Sequence, residues 1–166
     1  EAVAVFREAL ELAPTAVRTQ VHLAHALRRE RRRADAAQAY RAAIRGRRGD
    51  AMLHGHLGVT LAHGRRYGEA ATAFREALRL DPDNATWHAR FGRVLERQGR
   101  FPEAEAEFRQ AIRLRPGDVG SLLGLAGVFR REGRWAEEAE AYRTALTLRP
   151  DDPNVHYDLG LALSAQ

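Results

Sequence analysis

The residues best equipped for chemistry in this 166-residue chain are seven His and 27 basic side chains, every one of which is Arg. A guanidinium stays charged at any working pH, and its planar fork fits a carboxylate or phosphate through paired hydrogen bonds. His can hold a metal or titrate near neutrality. His22 and His25 stand three residues apart, which puts them on one helix face, but no carboxylate sits obviously beside them to complete a metal site. The run Arg28-Arg29-Glu30-Arg31-Arg32-Arg33 is a concentrated basic patch. Nucleic acid competes as its partner, since phosphate contacts depend on such clusters. No aromatic is interleaved with the run, however, and stacking platforms accompany single-strand binders. Nucleic acid is therefore the lesser alternative.

Other chemistries fall away. The absence of Cys removes a disulfide scaffold, a thiolate site and a Cys nucleophile. Ser121 and Ser164 have no base at a recognisable spacing. Gly117, Gly120, Gly124 and Gly127 lack the strand that precedes a phosphate-cradling loop. Glu137, Glu138 and Glu140 read as a solvated helix surface. We therefore expect no enzyme, no cofactor and no metal site. With 45% hydrophobic and 30% charged residues the chain should fold. Its longest weakly polar stretch, from Val119 to Phe129, is far shorter than the roughly 20 residues of a membrane span, so no membrane insertion is expected. Arg without Lys fits a GC-rich, bacterial genome, and a cytoplasmic location is favoured. Beginning at Glu1 inside an apparent helix, the chain reads as a piece of something longer.

The elements that position these residues follow from a period of 34. Phe6, Tyr40, Phe74, Phe108 and Tyr142 fall in register, followed by Ala9, Ala43, Ala77, Ala111 and Ala145. Pro14, Pro82, Pro116 and Pro150 close four units, with Arg48 in the remaining slot. Earlier in each unit run Leu23, Leu57, Phe91, Leu125 and Leu159, each followed by Ala or Gly. Within 85–118, Trp87, Phe91, Val94 and Leu95 recur at helical spacing. Gln98-Gly99-Arg100 then breaks the helix, and a second stripe of Ala104, Phe108, Ala111 and Ile112 runs to Pro116. Asp118 and Asp152 stand where the next helices want an N-cap. A single helical hairpin cannot bury both stripes, so neighbouring units must cover them.

This pattern of Leu or Phe with Gly or Ala, then Leu, Gly, aromatic, Ala and Pro resembles the tetratricopeptide repeat over the whole chain. The resemblance implies an all-α, right-handed superhelical solenoid of antiparallel helix pairs, about ten helices in one array. Residues 1–16 would be a partial repeat, 17–50, 51–84, 85–118 and 119–152 complete repeats, and 153–166 a lone first helix. Departures fall at Arg31, Arg33, Gly46 and Arg48, which weaken the turn and exit of the first complete unit. Glu138 departs too, in the slot filled by Ala2, Ala36, Ala70 and Ala104, and local adjustment of helix packing is expected there. His54, His88 and His156 share the fourth repeat position and read as packing residues.

The resemblance also implies that first helices line a concave groove. Its candidate binding residues are Arg18, His22, His25, Arg28 and Arg29, then Met52, His56, Val59 and His63. Arg90, Arg93 and Arg97 follow, with Leu123, Arg130, Arg131 and Tyr157. Eight Arg face Glu96 and Asp158 in that inventory, and the middle of the groove is small and apolar. The Lys/Asn carboxylate clamp of the family is absent, since its places hold Val21, His25 and His56 and only Arg90 is comparable. The expected role is a non-enzymatic scaffold binding an acidic, extended or C-terminal peptide segment. The alternative is the docking arm of a larger enzyme. Head-to-tail self-association through Phe6, Leu10, Leu159 and Leu163 is a further expectation.

Overall fold

The computed structural model describes residues 1–166 and is entirely α-helical. The helices are α1 (Ala2–Leu12), α2 (Val17–Arg29), α3 (Arg33–Gly46), α4 (Ala51–His63) and α5 (Tyr67–Leu80), then α6 (Ala85–Arg97), α7 (Phe101–Leu114), α8 (Val119–Glu132), α9 (Trp135–Leu148) and α10 (Pro153–Ser164). They divide into two compact units, 1–82 with α1 to α5 and 83–166 with α6 to α10. Within each unit every helix packs on the next, and the short turns make neighbours antiparallel.

The core of each unit alternates small and large residues. Tyr40, Phe74, Phe108 and Tyr142 are buried on second helices, beside the fully buried Ala43, Ala77, Ala111 and Ala145. Burying each ring contributes about 1.5–3 kcal/mol. Room for them comes from glycine on the first helices. A Cβ on Gly58 would lie 3.0 Å from the Phe74 ring, and one on Gly92 3.1 Å from Phe108. At Gly124 the distance to Phe108 would be 2.4 Å, which a side chain cannot occupy. Gly124 is thus a packing residue rather than open groove floor.

All four turns between first and second helices close alike. The backbone N–H of Arg32, Arg66, Arg100 and Arg134 donates to the carbonyl of Leu27, Leu61, Leu95 and Phe129 respectively, at 2.9–3.0 Å. That bond requires the preceding residue to be left-handed. Gly99 and Gly133 take φ of 74° and 71°, while Arg31 and Arg65 take 60°. In the second complete repeat the glycine sits one residue early, so Arg65 bears the turn and Gly64 stays at φ −82°. Arg31, where glycine is the rule, therefore changes the strain of the turn but not its shape.

The exit of the first complete repeat is also regular. Arg47 is extended at φ −143°, like Asp81 at −140° and Arg115 at −142°, each of which precedes Pro. Gly46 has its own reason, since a Cβ there would sit 2.5 Å from Val17 Cγ2. Asp152 caps α10 by accepting from the N–H groups of Asn154 and Val155 at 3.1 and 3.4 Å. Asp118 differs from expectation: its carboxylate takes the Ser121 hydroxyl and makes no cap bond to the backbone. Asp50 and Asn84 cap α4 and α6 instead.

Glu138 is the largest departure in the second unit. Its side chain is 1% exposed rather than part of a solvated surface, and its Oε1 accepts from Arg130 Nε at 2.6 Å. The same guanidinium donates to the Tyr142 hydroxyl at 2.6 Å and to Asp158 at 3.3 Å. Burial pushes the Tyr142 phenol up to about 12, with Arg130 working against the rise.

Candidate functional site

Two sets of Arg residues bear on binding, one at the turns and one on the first helices. The first group holds the turns. Arg32, Arg66, Arg100 and Arg134 each stand at the N-terminus of a second helix and pair with the acid three residues on, at Asp35, Glu69, Glu103 and Glu137. These acids accept two guanidinium bonds or more in all four turns. Arg134 extends the pattern by reaching Glu105 of α7 at 2.6 Å and Glu132 of α8 at 2.8 Å while lying 4.4 Å from the Phe129 ring centroid. Its pKa is raised by the three carboxylates, first Glu137. Arg-x-x-Asp/Glu at a fixed repeat position was the sequence signal for these pairs, and groove-centred reasoning passes over it.

The second group lies on first helices and is not neutralised. Arg18, Arg29, Arg90, Arg97 and Arg131 are exposed and form no ion pair. Arg93 reaches only the Gly120 carbonyl, at 3.5 Å. Arg28 is half-buried and donates to the Tyr40 hydroxyl at 3.4 Å. Arg130 is the exception among the candidate groove cations, because its charge is committed to Glu138 and Asp158.

In the first unit, these residues border two recesses between α2 and α4. One, of about 270 Å³, is lined by Arg18, His22, His25, Met52 and His56. The other, of about 420 Å³, is lined by His25, Arg28, Arg29, Arg31, Arg33 and His63 above Thr60. Aromatic stacking builds the wall between them. His25 meets Tyr40 edge-on at 5.8 Å and His56 at 5.4 Å, while His56 stacks on Tyr40 at 6.0 Å. Burial, then the charges of Arg28 and His22, hold the His25 pKa below its usual value. His56 is lowered likewise by burial, His25 and Arg28, against an opposing pull from Asp50. His22 turns instead to Phe6, stacked at 5.8 Å. No group of three or more His, Cys, Asp or Glu converges to hold a metal ion.

In the second unit, α6 carries Arg90, Arg93 and Arg97, and α8 packs against it. A Cβ on Gly127 of α8 would make ordinary contact with Glu96 Oε1 at 3.8 Å, while one on Gly120 would lie 3.3 Å from Asp118 Oδ1. Leu123 is half-buried against the α8–α9–α10 core rather than presented to solvent. Arg131 and Tyr157 are exposed, Tyr157 at 68%. Val59 in the first unit is 8% exposed, so its side chain is out of a ligand's reach.

His54 and His156 bond the carbonyls of Arg48 and Pro150 at 3.0 and 2.7 Å, clasping the segment before their helices, and His88 meets Glu107 at 2.6 Å. Of the apolar residues expected to stand free, Leu163 is exposed while Phe6, Leu10 and Leu159 are half-buried. Two further recesses lie on the second-helix side. One of about 630 Å³ has Ile44, Leu57 and Leu61 in its floor, and one of about 670 Å³ has Ile112, Leu125 and Phe129. Ion pairs such as Arg41 with Glu69 cross the first of these.

Antiparallel helix pairs with this small-and-aromatic core, repeating every 34 residues, define a tetratricopeptide-repeat protein. The model of the cilia and flagella-associated protein 70 C-terminal domain matches residues 1–166, and the chain belongs to that family. No curated protein matches its sequence significantly. Among solved structures, MamA superposes with a TM-score of 0.86 at 18% identity, over 89% of this chain and 86% of that one. MamA from Desulfovibrio magneticus RS-1 gives 0.82 at 20% identity, over 88% and 82%. YrrB, described as a TPR protein with an unusual peptide-binding site, gives 0.79 at 19% identity, over 96% and 82%. These likenesses establish a shared fold.

Proposed function

We propose that the chain is a non-enzymatic scaffold whose first-helix faces hold a protein partner through an acidic, extended or C-terminal peptide segment. The observation that carries this reading is the split among the Arg residues. Arg32, Arg66, Arg100 and Arg134, which open the second helices, are neutralised within the protein, whereas Arg18, Arg29, Arg90 and Arg97 face solvent with no internal partner. An unpaired guanidinium keeps its fork of donors for an incoming carboxylate. The peptide-binding site described for YrrB, a protein of similar fold, supports peptide over other ligands.

The test is fluorescence anisotropy with labelled peptides of equal length, one acidic and one neutral. The acidic peptide should bind more tightly, and added salt should weaken it. Arg90→Ala with Arg93→Ala, and separately Arg18→Ala with Arg29→Ala, should each lower its affinity. Unchanged binding in both variants would reject these faces as the site.

A further inference from the structure

We infer that the larger recess between α2 and α4 receives the phosphoryl group of a phosphorylated peptide segment. The inference rests on the peptide-scaffold reading and names the group recognised within one part of that surface. The recess draws cations from two helices and a turn: Arg28 and Arg29 end α2, Arg31 occupies the turn, and Arg33 opens α3. No carboxylate lines it. Arg29, Arg31 and Arg33 are exposed and form no ion pair. Arg32, in the middle of the same run, is turned out of the recess and held by Asp35 and Glu30. The single acid in the run, Glu30, thus meets the one Arg that does not line the site.

The charge arithmetic favours phosphate over a lone carboxylate. Four Arg residues line one recess of about 420 Å³. A peptide carboxylate brings one negative charge and two acceptor oxygens, which leaves most of that field unanswered. A phosphoryl group brings a charge near −2 and three strong acceptors. Arg forks match its oxygens in pairs. Arg28 is already oriented, since its guanidinium is held at the Tyr40 hydroxyl.

Arg31 supplies an independent handle. It sits at φ 60°, where the second unit has Gly99 and Gly133. Arg65 bears the same conformation outside the recess lining, so backbone strain does not mark the site by itself. It does allow stability and recognition to be separated, because glycine at either position suits the turn.

The experiment measures anisotropy with three versions of one acidic peptide carrying Ser, phosphoserine or Glu at its centre, together with single-stranded DNA and RNA oligonucleotides. The proteins are the wild type, Arg29→Ala/Arg33→Ala, Arg31→Gly and Arg65→Gly, each checked by thermal melting. The phosphoserine peptide should bind the wild type about tenfold more tightly than the Ser peptide, with Glu between them. Arg29→Ala/Arg33→Ala should abolish that gain. Arg31→Gly should reduce it while keeping or raising the melting temperature, and Arg65→Gly should leave it intact. Equal binding of the Ser and phosphoserine peptides overturns the inference, and so does tighter binding of an oligonucleotide. If the Ser peptide binds and phosphate adds nothing, the phosphoryl inference alone falls. If no peptide binds, the scaffold reading falls with it.

Discussion

Arg130 Nε donates to Glu138 Oε1 across 2.6 Å, joining the last turn of α8 to a fully buried position near the start of α9. The relationship has a partial counterpart in the first unit. Arg28 and Tyr40 occupy the same repeat positions as Arg130 and Tyr142, and each Arg bonds its Tyr hydroxyl. Where the first-helix position holds Ala62 or Glu96, the second-helix ring is Phe74 or Phe108. Tyrosine thus appears in the complete repeats that offer its hydroxyl a guanidinium, as a buried phenol requires a partner.

Arg130→Ala should destabilise the protein by about 3 kcal/mol or more, because it strands the Glu138 carboxylate in the core. Glu138→Ala installs the residue found at Ala36, Ala70 and Ala104 and should cost much less. Combining the two should restore most of the stability lost in Arg130→Ala. Urea melts of the three variants check this, and an additive double variant would mean that the pair is not coupled.

Two glycines on α8 should respond oppositely to alanine. Gly124→Ala drives a methyl into Phe108 and should cost about 1–3 kcal/mol. Gly127→Ala meets only Glu96 Oε1 at 3.8 Å and should stabilise by about 0.5–1 kcal/mol through helix propensity. Denaturant midpoints distinguish them.

Arg31→Gly and Arg65→Gly should each raise stability by up to about 1 kcal/mol, since a left-handed L-residue is strained. The larger entropy of glycine in the unfolded chain offsets part of the gain. Thermal melts that fall in both variants would contradict the left-handed turn.

Acidification should loosen the first unit. The pKa values of His25 and His56 are lowered on folding, so above about pH 6.5 both rings are neutral in the folded and unfolded states. As pH falls through that value the unfolded chain takes up protons first, and stability falls. Melting temperatures at pH 7.5 and 5.5 should therefore differ more for the wild type than for His25→Gln/His56→Gln. An equal drop in both proteins would assign the effect to other groups.

Helix boundaries were readable because the aromatic ladder from Phe6 to Tyr142 and the small residues beside it repeat in step, and local periodicity agrees with tertiary packing. Side-chain fates were less so. A repeat position predicts a face, but not whether a neighbour will claim the charge. Arg130 shares its position with Arg28, yet Glu138, one helix away, decides that it serves the core. Asp118 and Asp152 look equivalent, and Ser121 alone diverts the first of them. Gly64 is the obvious turn residue by type, although hydrogen-bond register assigns the turn to Arg65. Val59 reads as groove surface by position, while packing depth removes it from there.

The Arg–acid pairs that recur at all four turns bear on how this protein should be unfolded in the laboratory. Guanidinium chloride is both a denaturant and a concentrated salt whose cation mimics the side chains in those pairs, whereas urea is uncharged. The chloride salt screens and competes for Asp35, Glu69, Glu103 and Glu137 at concentrations too low to unfold the chain. Folding energies extrapolated from the two agents should consequently disagree, with the urea value the higher. The gap between them reports the net balance of charge, the attraction within these pairs less the repulsion among unpaired Arg that the salt also screens.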